Sequence, residues 1–227
     1  SFGYSLIWAI ILSIFSTIVL QEMSLRIGLI TIMNLAEVIR KNIKSKFLNR
    51  LILILIICSI IIGNTAYEAG NITGASLGIS AILNSQSINY IPIFIGLIAF
   101  IILYLGDYKI LERFLVFLVI LMSISFFITS IMTKPDIRSL LDGMISPVIN
   151  SGNVIIILGL IGTTVVPYNL FFHSSLVSEK WNSQDKLKVA RFESFFSILI
   201  GGLVSLSIII TAASIYNKDV KGVIDLA

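Results

Sequence analysis

The chain has 227 residues, of which 57% are hydrophobic and only 12% are charged, and its mean hydropathy is +1.02. Soluble domains carry about 25% charged residues, so this composition excludes a soluble domain and predicts an all-α polytopic membrane protein. The net charge is +4, but the sequence has no cluster of basic and aromatic residues of the kind that binds nucleic acid. We therefore expect no nucleic-acid partner. Cys58 stands alone, which excludes a disulfide within the chain and a cysteine-based metal site.

Six apolar runs are candidates for membrane spans, each of which needs about 20 mostly apolar residues. They cover residues 4–25, 50–83, 91–105, 110–132, 153–177 and 190–216, and the third is short. Between the first two lies LAEVIRKNIKSKFLNR (35–50), an amphipathic basic stretch that we expect at the membrane surface. We interpret 1–227 as a single transmembrane domain. Because the chain lacks an initial Met and opens almost directly on an apolar helix, we expect it to be a piece of a longer protein.

The basic residues predict an orientation. Twelve of the 16 lysines and arginines fall in alternate loops, at 26–50, 106–113 and 178–191. The positive-inside rule places these loops in the cytoplasm and the other loops outside the cell, as expected of a multi-pass protein of the plasma membrane. Ser1 then lies outside, so an odd number of spans would precede it.

The second span carries GNTAYEAGNITGASLG at 63–78. Its polar residues at i, i+3, i+4 and i+7 share one helix face: Asn64, Tyr67, Glu68 and Asn71. A carboxylate within a span is costly and faces the helix bundle or a water path. Glu68 is therefore either part of a proton or cation relay or a protonated side chain that ties two helices together. A stripe of small residues predicts close helix packing rather than a site: Gly70, Gly74 and Gly78.

The fifth span contains a proline among polar residues, GLIGTTVVPYNLFFHSSL at 159–176. Pro167 removes a backbone donor, which frees the C=O of Thr163, and it disfavours helical geometry at Val166. In hydrocarbon a freed carbonyl needs another partner or a wet cavity, and a cation is such a partner. Thr164 and Asn169 offer further oxygens.

Both Pro167 and His173 have a simpler, purely structural interpretation that remains open. Pro167 is a kink alone, or it marks the discontinuous helix of a transporter, which the flanking polar residues and glycines favour. His173 either joins two helices by a hydrogen bond or belongs to a polar pathway. The chain has no phosphate-cradling glycine loop, no HExxH and no nucleophile elbow, so nothing in it indicates an enzyme.

Three segments resemble the Nramp divalent-metal transporters: QEMSLRIGLITIMNLAEVIR at 21–40, LERF at 111–114 and VVPYNLFFHSSLV at 165–177. The resemblance covers essentially the whole chain. It implies a LeuT-type inverted-repeat bundle of eleven or twelve helices, in which the six spans correspond to the second through the seventh. The first helix, with the metal motif Asp-Pro-Gly-Asn, would lie upstream.

The resemblance also implies a metal site. In the family, the metal is held by that Asp and Asn, by a carbonyl on the sixth helix and by the Met before the proline. The carbonyl position matches Thr163, whereas the Met position is Val166, so the thioether is missing. Carbonyl, carboxylate and water suit Mg²⁺ and Mn²⁺ better than soft metals.

The family's proton path is only partly present. The histidine after the proline is Tyr168 here, and the second histidine matches His173. On the family's third helix, the glutamate matches Glu68, with Asn71 on the same face, but the aspartate position is Thr65. These departures predict weak or absent proton coupling and resemble the magnesium-transporting branch of the family.

The leading interpretation is therefore transport of divalent cations, with Mg²⁺ and Mn²⁺ favoured and the metal as substrate rather than cofactor. The expected partners are the metal ion, the lipid bilayer and the remaining helices of the transporter. Three alternatives stay open: an ordinary proton-coupled Mn²⁺/Fe²⁺ symporter, an amino-acid transporter of the same broad fold, and a non-transporting membrane subunit.

Overall fold

The computed structural model describes residues 3–83, 90–105, 108–181 and 184–224. Over these ranges the chain forms α-helices, one short 3₁₀ turn at Gln184–Lys186 and no β-strand. The α-helices are α1 Ile7–Thr31, α2 Leu35–Asn42, α3 Lys46–Leu83, α4 Ile91–Leu105, α5 Tyr108–Met132, α6 Ile137–Ile145, α7 Val154–Thr164, α8 Pro167–Trp181 and α9 Leu187–Ile224. The all-α polytopic fold class is thereby confirmed.

The apolar spans are present, and all but the third, at residues 91–105, have ends that differ from those predicted. Among the described residues, five stretches are long and apolar enough to cross a membrane: Ile7–Thr31, Lys46–Leu83, Leu111–Met132, Val154–Trp181 and Leu187–Ser214. The short third run forms α4, of 15 residues. The run predicted at 153–177 is two helices, α7 and α8, and the runs predicted at 4–25, 50–83, 110–132 and 190–216 lie in helices with other bounds. The predicted ends differ because hydropathy marks the depth of the membrane, whereas hydrogen bonding sets where a helix ends.

The chain divides into two compact units, residues 1–55 with 123–227 and residues 56–122. In the first unit α1 is central, because it packs against α6, α7, α8 and α9. Its apolar side chains meet three helices in turn. Leu25 and Leu29 contact Val177 of α8 and Ala190 of α9, and Ala9 contacts Ile157 of α7.

The basic stretch after α1 begins with a well-capped helix. The side-chain oxygen of Asn34 accepts the Glu37 N–H at 2.9 Å, and the Glu37 carboxylate accepts the Asn34 N–H at 3.1 Å. This reciprocal capping box satisfies donors that have no partner within the first turn of a helix. Arg40 and Lys41 occupy the last turn, where positive charge suits the helix dipole. The result is the short helix α2, which packs against α1 and α8.

The second unit holds most of α3, all of α4 and the first part of α5. The predicted glycine packing in α3 is wrong within the described residues, because nothing lies within 4 Å of a Cβ placed on Gly70, Gly74 or Gly78. Instead, α4 approaches α3 at Gly96, where the Ile72 Cδ1 lies 3.9 Å from such a Cβ. Most apolar side chains of this unit are exposed, as expected of surfaces that face lipid or further helices.

Candidate metal site at a broken helix

The fifth span is interrupted at two residues. Helix α7 ends at Thr164 and α8 begins at Pro167, so Val165 and Val166 are not helical. Val165 has φ −95° and ψ 72°, which lies outside the α-helical region. The interruption falls directly before the proline because Pro disfavours the α conformation in the residue that precedes it.

Two backbone hydrogen bonds flank the interruption. The Val165 N–H bonds one turn back within α7 at 2.8 Å, and the Asn169 N–H donates to the Val166 carbonyl at 3.1 Å. Neither bond uses the carbonyl of Thr163. In a continuous helix the residue four positions later would donate to that carbonyl, but this residue is Pro167, which has no N–H.

The side chains at the end of α7 offer further oxygens. The Thr163 Oγ1 donates to the Gly159 carbonyl at 2.9 Å, and the Thr164 Oγ1 donates to the Leu160 carbonyl at 2.8 Å. A hydroxyl that donates one hydrogen bond keeps its lone pairs for a second partner. Thr163 is exposed and Thr164 is half-buried, as is Asn169 in the first turn of α8. These three predicted ligands therefore lie within seven residues of one another at the same interruption.

Of the remaining residues at the interruption, Val166 and Pro167 have no side-chain donor for a metal, whereas Tyr168 has a phenol oxygen. Val166 is buried and apolar, and its carbonyl already accepts the Asn169 N–H. Pro167 is exposed and Tyr168 is half-buried. The ligand atoms at this point are consequently oxygens, most of them from the backbone and hydroxyl groups, which is the donor set that hard divalent cations prefer.

Helix α8 is fastened to α1 by a close contact that sequence reasoning missed. A Cβ placed on Gly28 would lie only 2.3 Å from the backbone oxygen of Ser174. Ser24, one turn earlier, donates a short hydrogen bond to the carbonyl of Leu170, and the Leu35 N–H donates to the Ser174 Oγ at 3.0 Å. The small residues Ser24 and Gly28, spaced by four, are a sequence signal for close helix packing, but they do not identify the partner helix.

His173 joins α8 to α9. Its Nε2 lies 3.4 Å from the Oγ of Ser194, and its side chain is half-buried. His173 also lines a cavity of about 310 Å³, together with Gln21 and Glu193. This geometry agrees with the helix-to-helix hydrogen bond that the sequence left open.

Ion pairs hold the same end of these helices. The Glu22 Oε1 of α1 accepts from Arg26 at 2.7 Å and from Arg191 of α9 at 2.8 Å. Glu193 of α9 pairs with Lys180 of α8 at 2.5 Å. Because all these side chains are partly or largely exposed, each pair contributes only about 0–1 kcal/mol.

The predicted polar residues of α3 belong to the other compact unit. Glu68 and Asn71 are exposed, and the Asn71 Nδ2 donates to the Glu68 Oε2 at 3.4 Å. The Thr65 hydroxyl donates to the carbonyl of Ile61 at 2.8 Å. Within the described part of the chain, no group of three or more His, Cys, Asp or Glu side chains is placed to hold a metal ion.

Comparisons with known proteins cover the entire chain. The family described as "Natural resistance-associated macrophage protein-like" (Nramp) matches residues 1–227. The "Metal transporter nramp1 homolog" of Dictyostelium discoideum is 30% identical over 234 residues, which cover 97% of this chain and 42% of that protein. The "Divalent metal cation transporter MntH" of Staphylococcus aureus (strain JH9) is 27% identical over 246 residues, with coverage of 99% and 52%. The chain thus spans about half the length of the curated relatives it matches.

Proposed function

Since the chain belongs to the Nramp family, we propose that it forms part of a membrane transporter for divalent metal cations. The observation that carries the proposal is the interruption at Val165 and Val166, with the Thr163 carbonyl left by Pro167 without its helical donor. Discontinuous helices of this kind bind substrates and ions in secondary transporters. The similar proteins of D. discoideum and S. aureus are named as a metal transporter and a divalent metal cation transporter.

The electrostatics of the interruption support a cation rather than an anion at the end of α7. The C-terminal end of a helix carries the negative end of its dipole, because its last carbonyls have no helical donors. Helix α7 ends with Thr163 and Thr164, so backbone and hydroxyl oxygens converge where this field is negative. Asn169 adds an amide side chain from the first turn of α8. The resemblance described above implies that an Asp-Pro-Gly-Asn motif on another helix supplies the other half of the ligand set.

The same donor set supports Mg²⁺ and Mn²⁺ over softer metals. Val166 occupies the position where the family has a Met, and it offers no sulfur. Mg²⁺ binds oxygen ligands and sheds its water reluctantly, so a site without the thioether suits a partly hydrated hard ion. In alternating access, the ion would bind at the interruption near the middle of the membrane and be released on the other side.

Replacement of Val166 by Met tests this choice of metal. The complete transporter that contains this chain is reconstituted in liposomes, and uptake of Mg²⁺, Mn²⁺ and Cd²⁺ is measured. The variant Val166→Met is expected to raise Cd²⁺ uptake relative to Mg²⁺ uptake, because a thioether prefers soft metals. Val165→Met is the matched control at the neighbouring non-helical position. Strong Cd²⁺ uptake by the unmodified protein, with no Mg²⁺ or Mn²⁺ uptake, contradicts the proposal.

The proline provides a second test of the same site. Pro167→Ala restores an N–H opposite the Thr163 carbonyl and permits a continuous helix. We expect uptake of every metal to fall while the protein remains folded. Uptake unchanged in this variant contradicts a role for the freed carbonyl, whatever the metal preference.

We also propose that metal transport by this protein is coupled to protons only weakly or not at all. Tyr168 and Thr65 stand where the family has titratable residues. Glu68 and His173, two titratable residues that match the family's proton path, are retained, and their presence favours a second candidate, an ordinary proton-coupled Mn²⁺/Fe²⁺ symporter.

Internal pH separates the two candidates. A proton-coupled symporter acidifies the liposome lumen when metal is added outside, and Glu68→Gln and His173→Ala abolish that acidification. We expect the unmodified protein to take up metal without acidifying the lumen. The control Glu179→Gln, at an exposed position, is expected to behave in the same way. Metal-dependent acidification that the first two variants remove establishes the symporter instead.

A further inference from the structure

The segment from residue 40 to residue 50 carries a concentrated positive charge. Its five basic side chains are all exposed: Arg40, Lys41, Lys44, Lys46 and Arg50. The sequence contains no Asp or Glu between Glu37 and Glu68. We call residues 40–50 the basic segment.

This charge is not neutralised by neighbours within the described part of the chain. The ion pairs there use Arg26, Arg191 and Lys180 and leave the five bases of the basic segment alone. The nearest acid in sequence, Glu37, uses its carboxylate to accept the Asn34 N–H. The basic segment therefore presents its charge to whatever surrounds it.

Hydrogen bonds fix the shape of the basic segment. The Asn49 Nδ2 of α3 donates to the carbonyl of Arg40 at 2.9 Å, which joins the start of α3 to the end of α2. The Asn49 N–H also donates to the carbonyl of Ser45 at 2.9 Å. Helix α2 is itself held on α8, because the Leu35 N–H bonds to Ser174. The five bases are consequently arranged on a defined turn rather than on a free tail.

Helix length indicates where this turn lies relative to the membrane. Helix α3 has 38 residues, which is about 57 Å at 1.5 Å per residue, whereas the hydrocarbon core is about 30 Å thick. The uninterrupted apolar run starts only at Leu51, so the first turn of α3 stands at the level of the lipid headgroups. Phe47 in that turn is 78% exposed, as suits an apolar side chain at the boundary of the acyl chains.

We propose that the basic segment binds the headgroups of acidic phospholipids in the membrane that holds the chain. Clusters of four to eight bases beside a spanning helix attract anionic lipid, at about 1 kcal/mol or roughly fivefold in affinity per base. The unpaired charge supplies the attraction, the turn between α2 and α3 supplies the fixed geometry, and Phe47 supplies an apolar contact with the same lipid layer.

The loop around residues 179–193 offers an internal comparison. It has four bases, but Glu179, Asp185 and Glu193 lie among them. Two of the bases are also paired, Lys180 with Glu193 and Arg191 with Glu22. We therefore expect this loop to attract anionic lipid much less strongly than the basic segment.

Lipid selection by the complete transporter tests the proposal. The protein is purified from vesicles of equal parts phosphatidylglycerol and phosphatidylcholine, and bound lipids are counted by native mass spectrometry. Lys41→Gln with Lys44→Gln is expected to lower the preference for phosphatidylglycerol by about 25-fold at the affected site. The control Lys186→Gln with Lys188→Gln, which removes the same charge from the other loop, is expected to change it by less than about fivefold.

Two further measurements keep folding and ligand source separate. Lys41→Arg with Lys44→Arg keeps the charge and is expected to keep the preference, and about 1 M NaCl is expected to weaken it in the unmodified protein because salt screens exposed charges. Equal losses in the two glutamine variants overturn the proposal, as does a preference that survives in Lys41→Gln with Lys44→Gln. Complete displacement of the lipid by millimolar inorganic phosphate also overturns it, since the site would then bind free anions.

Discussion

Gly28 is the position where a single methyl group is expected to disturb the arrangement around the candidate site most. A Cβ there would lie 2.3 Å from the Ser174 oxygen, whereas ordinary contacts begin at 3.4 Å. Gly28→Ala therefore forces α1 and α8 apart by about 1 Å, and overpacking of this kind costs about 1–3 kcal/mol.

The displacement also strains the neighbouring hydrogen bonds. The bond from the Leu35 N–H, at the start of α2, to the Ser174 Oγ of α8 is 3.0 Å long, and a movement of Ser174 by about 1 Å away from α1 and α2 breaks it. The bond from Ser24 to Leu170 lies one turn away and is lost with it, at about 1 kcal/mol for each bond. Alanine is a better helix former than glycine by about 1 kcal/mol, which offsets part of the loss. The expected net destabilisation is about 2–4 kcal/mol.

Thermal unfolding of the detergent-solubilised protein measures this effect. The matched control is Gly201→Ala on α9, where a Cβ meets nothing within 4 Å, and its melting temperature is expected to stay the same or rise. Gly28→Ala is expected to melt well below both the control and the unmodified protein. Equal melting temperatures for the two alanine variants would refute the close contact between α1 and α8.

Two further predictions concern helix caps. Asn34→Ala removes the capping box with Glu37 and is expected to destabilise the start of α2 by about 1 kcal/mol. Hydrogen exchange of the first-turn amides measures this effect. The control Asn42→Ala, at the other end of α2, is expected to leave the exchange of those amides unchanged. Hydrogen bonds from the Ser139 hydroxyl and then from the Arg138 N–H lower the pKa of Asp136 below its ordinary value. The contribution of this cap to α6 is therefore complete above the ordinary pKa of an aspartate and is lost as the pH falls through the lowered pKa. Amide exchange at the start of α6 is expected to show this loss, and Asp136→Asn is expected to remove the pH dependence; a pH dependence that persists in the variant contradicts the assignment.

The interruption of the fifth span was predictable from local chemistry, whereas its surroundings were not. Pro167 lacks an N–H and restricts Val166 in any environment, so the position of the interruption follows from the sequence alone. The partner of α8 depends on tertiary packing, and Gly28 is one of 15 glycines with nothing in the sequence to single out Ser174 as its neighbour. The stripe at Gly70, Gly74 and Gly78 gives the stronger packing signal, yet the structure leaves these glycines uncovered.

Helix ends show the same division between local and tertiary information. The apolar run of α1 stops near residue 25, but the helix continues to Thr31, because Glu22 and Arg26 pair one turn apart and Leu29 is buried beside α8 and α9. A hydropathy profile records Glu22 and Arg26 only as charged residues, not as an ion pair. It also does not show that Leu29 is buried against other helices. The family, in contrast, was identified from the resemblance of three short segments, and local patterns had indicated a function for only one of them, the segment that contains Pro167.

The two helices on either side of Val165 and Val166 differ in how they are attached to α1. Helix α8 is joined to α1 by a hydrogen bond from Ser24 to the Leu170 carbonyl and by the close backbone contact at Gly28. Helix α7 meets α1 through apolar side chains such as Ile157, which tolerate sliding. If an ion binds the Thr163 carbonyl, α7 would therefore move relative to α1 more readily than α8 does. The backbone at Val165 and Val166, between the two helices, would absorb that movement.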